Sequence, residues 1–422
     1  MENEKNESIK ATEHDLQEIT SDSEGYTVDT SVTKGDWTDS EPTEPEAHDA
    51  AVSNIDLSRF KNRVKAFLTR AIADRLVYAR VDGGYTVIGF KPQSTDAAGS
   101  VDLVIPDKIR DLPVVAINGE AFQGNEYLRS VIIPDSVSSI GRLAFADCKH
   151  LSEILIPRGV RAMGWRAFHG CVSLESVIIE NGITAIGSSA FEDCTRLSSV
   201  TIPYSVKEIG ADAFKNCTSL ASAIIDDGVT HIGWQAFFGC ISLESVTIGS
   251  GVTFVNYEAF KNCTRLRAVH INDVASWCNI DFYSLESNPL YYAKNLYIGG
   301  EPAGDLVIPE GTECIKENAF GNCQSLTSVS IPTSMTRIDP YAFYYCENLT
   351  SVTISYGVKD FSKAAFSHCK KLRTVYFRGK PAGWVCDYLK HRISGIIVYY
   401  SENAPTTQGR FWHYVDGVPT AW

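Results

Sequence analysis

The stretch CTRLSSVTIPYSVKEIGADAFKNC, residues 194–217, holds the pattern that decides the fold. Leu197, Val200 and Ile202 alternate with short polar residues, which is strand period, and Val and Ile suit a pleated, half-buried surface. Pro203 cannot donate to a ladder and ends the run. Val206 and Ile209 form a second short apolar pair, consistent with another brief strand or extended arc. Gly210 fits a turn with φ above zero. A helical turn then carries Ala213 and Phe214 inward, and Cys217 closes the unit.

The same phrase recurs along the chain. Ala-Phe pairs end at Phe122, Phe145, Phe168, Phe191, Phe214, Phe237 and Phe260, a step of 23 residues each time, and resume at Phe320, Phe343 and Phe366. A fixed period of this size marks a solenoid, whose single coils cannot bury their apolar faces alone. Phenylalanine at one repeated slot predicts a buried spine along the solenoid axis. Each such ring contributes about 2–3 kcal/mol by transfer. Gly141, Gly164, Gly187 and Gly233 share the Gly210 slot, while Asn118, Asn256, Lys316, Asp339 and Ser362 replace it elsewhere.

The phrase L-x-x-V-x-I-P-x-x-V-x-x-I-G-x-x-A-F-x-x-C resembles the BspA-like class of leucine-rich repeat. It reads from Leu128 to Cys263 and again from Ile308 to Cys369. The segment Trp277-Cys278-Asn279-Ile280-Asp281-Phe282, followed by Asn288-Pro289-Leu290-Tyr291, resembles an irregular unit of the same family. The resemblance implies a curved or twisted β-rich solenoid on a surface-type protein, with adhesion or other protein binding as its role and no enzyme activity. The expected fold class is therefore a leucine-rich repeat array with short strands and a helical turn per coil.

Three segments follow. Residues 1–52 carry fifteen acidic side chains against three lysines, which accounts for about −12 of the formal −13. Low hydrophobicity at that charge predicts a disordered acidic tail. Residues 53–378 form the solenoid. Within it, Ile55, Leu57, Phe60, Val64, Phe67, Leu68, Ile72 and Leu76 have helical spacing, so 55–78 is expected to be a cap helix over the first coil. Its arginines and lysines leave open a basic amphipathic helix that meets an anionic membrane or the acidic tail. Residues 272–304 break the period: Phe260 to Phe320 spans two repeats plus fourteen residues. The aromatics there either pack the irregular coil or anchor a partner. Residues 379–422 lose the period and read as a C-terminal cap.

Outside the tail the charge is nearly balanced, so no basic face supports nucleic-acid binding. No apolar run reaches membrane-spanning length. The N-terminus lacks the apolar run of a secretory signal. An extracellular or cell-surface location is thus implied by the resemblance, with a cytoplasmic one as the alternative.

Nine of the twelve cysteines sit three residues after a spine phenylalanine. Successive coils lie about 4.8 Å apart, wider than the ~3.8 Å Cβ separation of a disulfide. One thiol per coil and no Cys-x-x-Cys also argue against zinc. A reduced structural ladder is expected, with Asn125 in the same slot of the first coil. Cys278, Cys314 and Cys386 fall outside it. The histidines are scattered and read as surface residues. No G-x-S-x-G, H-E-x-x-H or P-loop is present, and no cofactor is called for.

The outward positions of the first strand form the candidate ligand-binding face: Ser199, Thr201, Ser222, Ser245, Thr247, His270 and, after the insertion, Tyr376. This ribbon is hydroxyl-rich and nearly uncharged. Its hydroxyls either hydrogen-bond one another as a structural ladder or meet a polar protein or glycan ligand.

Overall fold

The computed structural model describes residues 75–362, 364–378, 396–400, 411–415 and 418–421. All of them lie in one compact unit, Asn62–Trp422. The acidic tail, most of the expected helix 55–78 and Cys386 fall outside the described residues. The end of that helix is corrected: Leu76–Val81 is a strand, paired antiparallel with Gly84–Phe90 through an Asp82-Gly83 turn in which Gly83 has φ 83°.

Each coil contributes two parallel strands to two stacked rows. The longer strand of the reference coil, Ser199–Ile202, pairs in register with Ser222–Ile225, which pairs with Ser245–Ile248. Ala268–Ile271 and Leu296–Ile298 continue this sheet. It ends in an antiparallel hairpin to Glu301–Pro302 across Gly299-Gly300, whose φ angles of 57° and 89° only glycine adopts without cost. A sheet of Val101–Val104, Leu128–Ile132, Glu153–Ile156 and Ser176–Ile179 precedes it. A third sheet follows from Asp305–Val307 to Thr374–Phe377 and is extended by Ile396–Tyr400, Phe411–Val415 and Val418–Ala421. The shorter strands, such as Glu208–Ile209 and His231–Ile232, form the second row.

The phenylalanine spine lies between these rows. Neighbouring rings stack with centroids 4.9–5.3 Å apart and planes within 9° of parallel. Phe122 to Phe260, Phe320 and Phe343 are almost wholly buried. Backbone bonds tie the corners together: Phe214 N–H donates to Ala236 O at 2.7 Å, and Gly210 N–H to Ile186 O at 2.9 Å.

Two expectations about the corner are corrected. The residues around the spine phenylalanines form tight turns, not helices. Asp212 (φ 55°) and Asn216 (φ 58°) flank Phe214 in the left-handed region, and sister coils repeat that pair of kinks. A helix would need those residues in the right-handed well. Nor does the Gly210 slot supply a positive φ. A Cβ at Gly210 would lie 2.7 Å from Ser188 N and 2.8 Å from Ile186 O, and Gly233 is crowded in the same way by the coil before it. Glycine is required there for close backbone approach.

Candidate functional site

The ribbon of hydroxyls is built by strand period. Val200, Ala223, Val246 and Val269 face the core at 0–3% exposure, as do Ile202, Ile225, Ile248 and Ile271. The alternate positions must therefore face outward. Ser199, Ser222 and Ser245 align in one row, and Thr201, Ile224, Thr247, His270 and Tyr297 in the next. Ser199 is exposed and the other expected site residues of this sheet are half-buried. Tyr376 is not brought to them: it lies on the third sheet beside Thr353.

The hydroxyls of Ser199, Thr201, Ser222, Ser245 and Thr247 hydrogen-bond no other group among the described residues. A structural hydroxyl ladder does exist, but one column away. Ser198 donates to Glu175 O at 3.0 Å and Thr350 to Thr327 O at 2.9 Å. Thr230 and Thr253 do the same on the second row. In the flanking sheets, Ser130 and Ser328 spend their hydroxyls on Asp102 and Asp305. Ser199, Thr201, Ser222, Ser245 and Thr247 thus form a run of uncommitted outward hydroxyls on the central sheet. At its end the rings of His270 and Tyr297 stack at 4.9 Å. Burial holds His270 below its ordinary value of 6.5, which keeps the ring neutral near pH 7.

The cysteines line the inside of the corner. Cys217 Sγ donates to Phe191 O of the previous coil at 3.2 Å, and Cys148, Cys171, Cys194, Cys240, Cys263, Cys346 and Cys369 repeat the bond at 3.1–3.2 Å. Cys323, first after the insertion, meets Ser325 Oγ instead. Asn125 uses its carbonyl oxygen in the same slot, accepting from Tyr127 N and Leu128 N. All eleven described cysteines are free thiols. Burial pushes Cys148 and Cys240 up to about 12 from 9.0. The ladder residues are at 0% exposure, except Cys369 at 7%. Sealed thiols survive in either redox compartment, so they do not argue for an intracellular location.

One histidine is less superficial than its scatter in the sequence implied. His169 Nδ1 lies 3.4 Å from Glu192 Oε2, and Asp193 completes a cluster whose ligand atoms lie within 4.8 Å. The Arg166 guanidinium sits 3.6 Å from the same Glu192 oxygen and opposes a cation there. The group reads as an ion-pair network.

The irregular segment replaces one corner turn. It comprises α1 (Val274–Cys278), capped by the Asp273 carboxylate on Ala275 N, a 3-10 turn at Leu285–Ser287, and α2 (Leu290–Ala293). Buried Trp277 donates Nε1–H to Ala319 O at 2.8 Å, and Asn288 Nδ2 donates to Asn318 O and Ala319 O. In regular coils that alanine carbonyl receives the N–H of the preceding spine phenylalanine. Trp277 and Asn288 therefore satisfy an acceptor that the broken period would orphan. Phe282 is buried beside Trp277, whereas Tyr283 is 63% exposed, and Tyr291 and Tyr292 line a cavity with Tyr344 and Tyr345. The last two were missed at the sequence level. The available signal was Tyr345, which stands in a column otherwise filled by Gly124, Asp147, Gly170, Asp193, Asn216, Gly239, Asn262, Asn322 and His368.

Parallel short strands stacked every 23 residues around a phenylalanine column and a thiol column define a leucine-rich repeat solenoid. The chain belongs to the BspA type leucine rich repeat family, whose model matches residues 115–240, 207–298 and 293–382 in six copies. No curated protein matches the sequence. Among solved structures, a leucine-rich repeat protein of T. pallidum is 33% identical over 46% of this chain and 89% of its own, with a TM-score of 0.42. A leucine rich cell surface protein of Faecalibacterium prausnitzii is 23% identical over 74% and 95%, at 0.33. A leucine-rich repeat protein of Bacteroides ovatus is 21% identical over 77% and 98%, at 0.38. No helix among the described residues is long and apolar enough to cross a membrane.

Proposed function

We propose that this protein is a non-enzymatic adhesion scaffold that holds a protein ligand against its central strand face at the cell surface. One observation carries the reading: five in-register hydroxyls, Ser199, Thr201, Ser222, Ser245 and Thr247, have no partner among the described residues, while Ser198 beside them and Thr230 and Thr253 on the second row are spent on backbone carbonyls. A polar surface that docks there gains hydrogen bonds without breaking any within the solenoid. The stacked His270–Tyr297 pair at the end of the sheet supplies the aromatic anchor that a hydroxyl ribbon lacks. Family membership supports binding as the role, and no nucleophile–base pair or metal centre in the described site supports chemistry.

The test is saturable binding of the full chain to immobilised extracellular-matrix proteins and mucin, with a cytosolic extract in parallel. Saturable capture of a matrix protein, weakened at least about tenfold by Thr201→Lys with Thr247→Lys, is the expected result. Capture confined to cytosolic proteins, or matrix binding indifferent to both substitutions, would refute the proposal.

A further inference from the structure

The missing corner turn leaves a cavity of about 640 Å³ between the coil of Phe260 and the coil of Phe320. That volume falls in the ~300–1,000 Å³ range of small-molecule sites and is unlike the flat strand face. Leu285, Tyr291, Tyr292 and Lys294 line it from the irregular segment, and Tyr344 and Tyr345 from the regular coils beyond. The two tyrosine pairs are each set edge to face, at 5.0 Å and 86° for Tyr291–Tyr292 and 4.5 Å and 84° for Tyr344–Tyr345. Tyr345 is also stacked on His368 at 4.5 Å and 5°, which fixes the plane of its ring.

Two features set this lining apart from a regular corner. Tyr345 has φ 58°, a left-handed conformation that is costly for a bulky aromatic and that eight sister coils give to Gly, Asn or Asp. Lys294, exposed and at φ 63°, makes no ion pair or ammonium hydrogen bond among the described residues. The carboxylate that feels its charge, Glu347, is already paired with Lys370 Nζ at 2.6 Å. The lining therefore offers aromatic faces and one free cation.

We infer that this cavity binds a carboxylated sugar. The C–H faces of a pyranose ring lie against the tyrosines, and the sugar carboxylate pairs with Lys294 Nζ in a charge-assisted hydrogen bond. A peptide is the weaker occupant. On the wall towards Phe320 the main-chain donors are spent: Asn322 N on Tyr344 O, Tyr345 N on Ser367 O and Lys294 N on Leu290 O. An extended peptide would find no strand edge to join. Asn322 holds the frame, with Nδ2 on Tyr291 O at 2.7 Å.

The experiment is saturation-transfer NMR on the full chain with galacturonate, glucuronate and N-acetylneuraminate as probes. Galactose and glucose are the neutral counterparts, and a glutamate-rich peptide is the macromolecular control. Saturable binding of a carboxylated sugar, at least about tenfold tighter than the neutral sugar, is expected, and Lys294→Gln should remove that preference. Tyr345→Asn restores the residue type of the sister coils, so it should weaken binding while leaving Tm equal or higher. The Thr201→Lys variant should bind sugar as the wild type does, which separates this site from the strand face. No saturable binding of any carboxylated sugar overturns the inference. So does equal binding of the neutral sugars unaffected by Lys294→Gln, or binding of the peptide alone.

Discussion

Phe214→Ala probes the coupling that makes a stack of coils one object. The ring is fully buried and stacks on Phe191 at 5.3 Å and on Phe237 at 5.2 Å, with interplanar angles of 6° and 9°. Truncation of a buried phenylalanine costs about 3–5 kcal/mol. Two lost ring stacks account for about 1–3 kcal/mol of that. In a solenoid this loss is shared with nearest neighbours. Native-state hydrogen exchange reads it directly, since Phe191 N–H donates to Ala213 O and Phe214 N–H to Ala236 O. Protection of the amides at Phe191, Phe214 and Phe237 should fall together by about two to three and a half orders of magnitude. Amides beyond the irregular segment, at Phe320 and Phe343, should change least, because ring stacking is interrupted between Phe260 and Phe320. If the coils of Phe191 and Phe237 keep wild-type protection while that of Phe214 opens, the coupled-solenoid reasoning is wrong.

Other outcomes follow from particular contacts. Gly210→Ala should destabilise by about 1–3 kcal/mol, because its Cβ meets backbone of the previous coil, and Gly124→Ala by about 1 kcal/mol, from φ 66° in open space; equal urea midpoints for the two would contradict this. Trp277→Phe keeps a buried aromatic ring but leaves a small void and Ala319 O with one donor fewer, so it should cost about 1–3 kcal/mol and lower protection first at Phe320. The thiols impose a pH dependence. Cys148 and Cys240 are raised by burial from 9.0 to about 12, so the fold favours their neutral form. That contribution is whole below about pH 9 and is lost as pH climbs towards about 12. The urea midpoint should fall over this window, and the nine ladder thiols should resist thiol reagents near pH 8 until the protein unfolds; a flat midpoint to about pH 11 would count against it.

The 23-residue period made the spine, the thiol ladder and both strand rows legible, because each depends on which residue recurs at a fixed slot. The corner was not legible in the same way. Its kinks at Asp212 and Asn216 are occupied in sister coils by residues as different as Leu143, Gln235 and Tyr341, so no single residue type marks them. Gly210 carried the opposite ambiguity: glycine serves both positive φ and close approach, and only the neighbouring coil distinguishes them. The strand-face hydroxyls were named from alternation, but whether Ser198 or Ser199 serves the neighbouring carbonyl depends on a direction that composition does not encode. The tyrosine cavity needed the irregular segment and a coil about fifty residues later to be placed together.

The most direct test of the strand-face account is a charge scan of that face against the matrix protein the full chain captures. Glutamate would be introduced singly at Ser199, Thr201, Ser222, Ser245 and Thr247, with His231→Glu on the second row and Lys294→Gln at the cavity as controls. The account predicts at least about tenfold weaker binding at two or more strand-face positions, with both controls unchanged and Tm preserved throughout. Loss confined to His231→Glu or Lys294→Gln, with the strand-face variants binding normally, would contradict it.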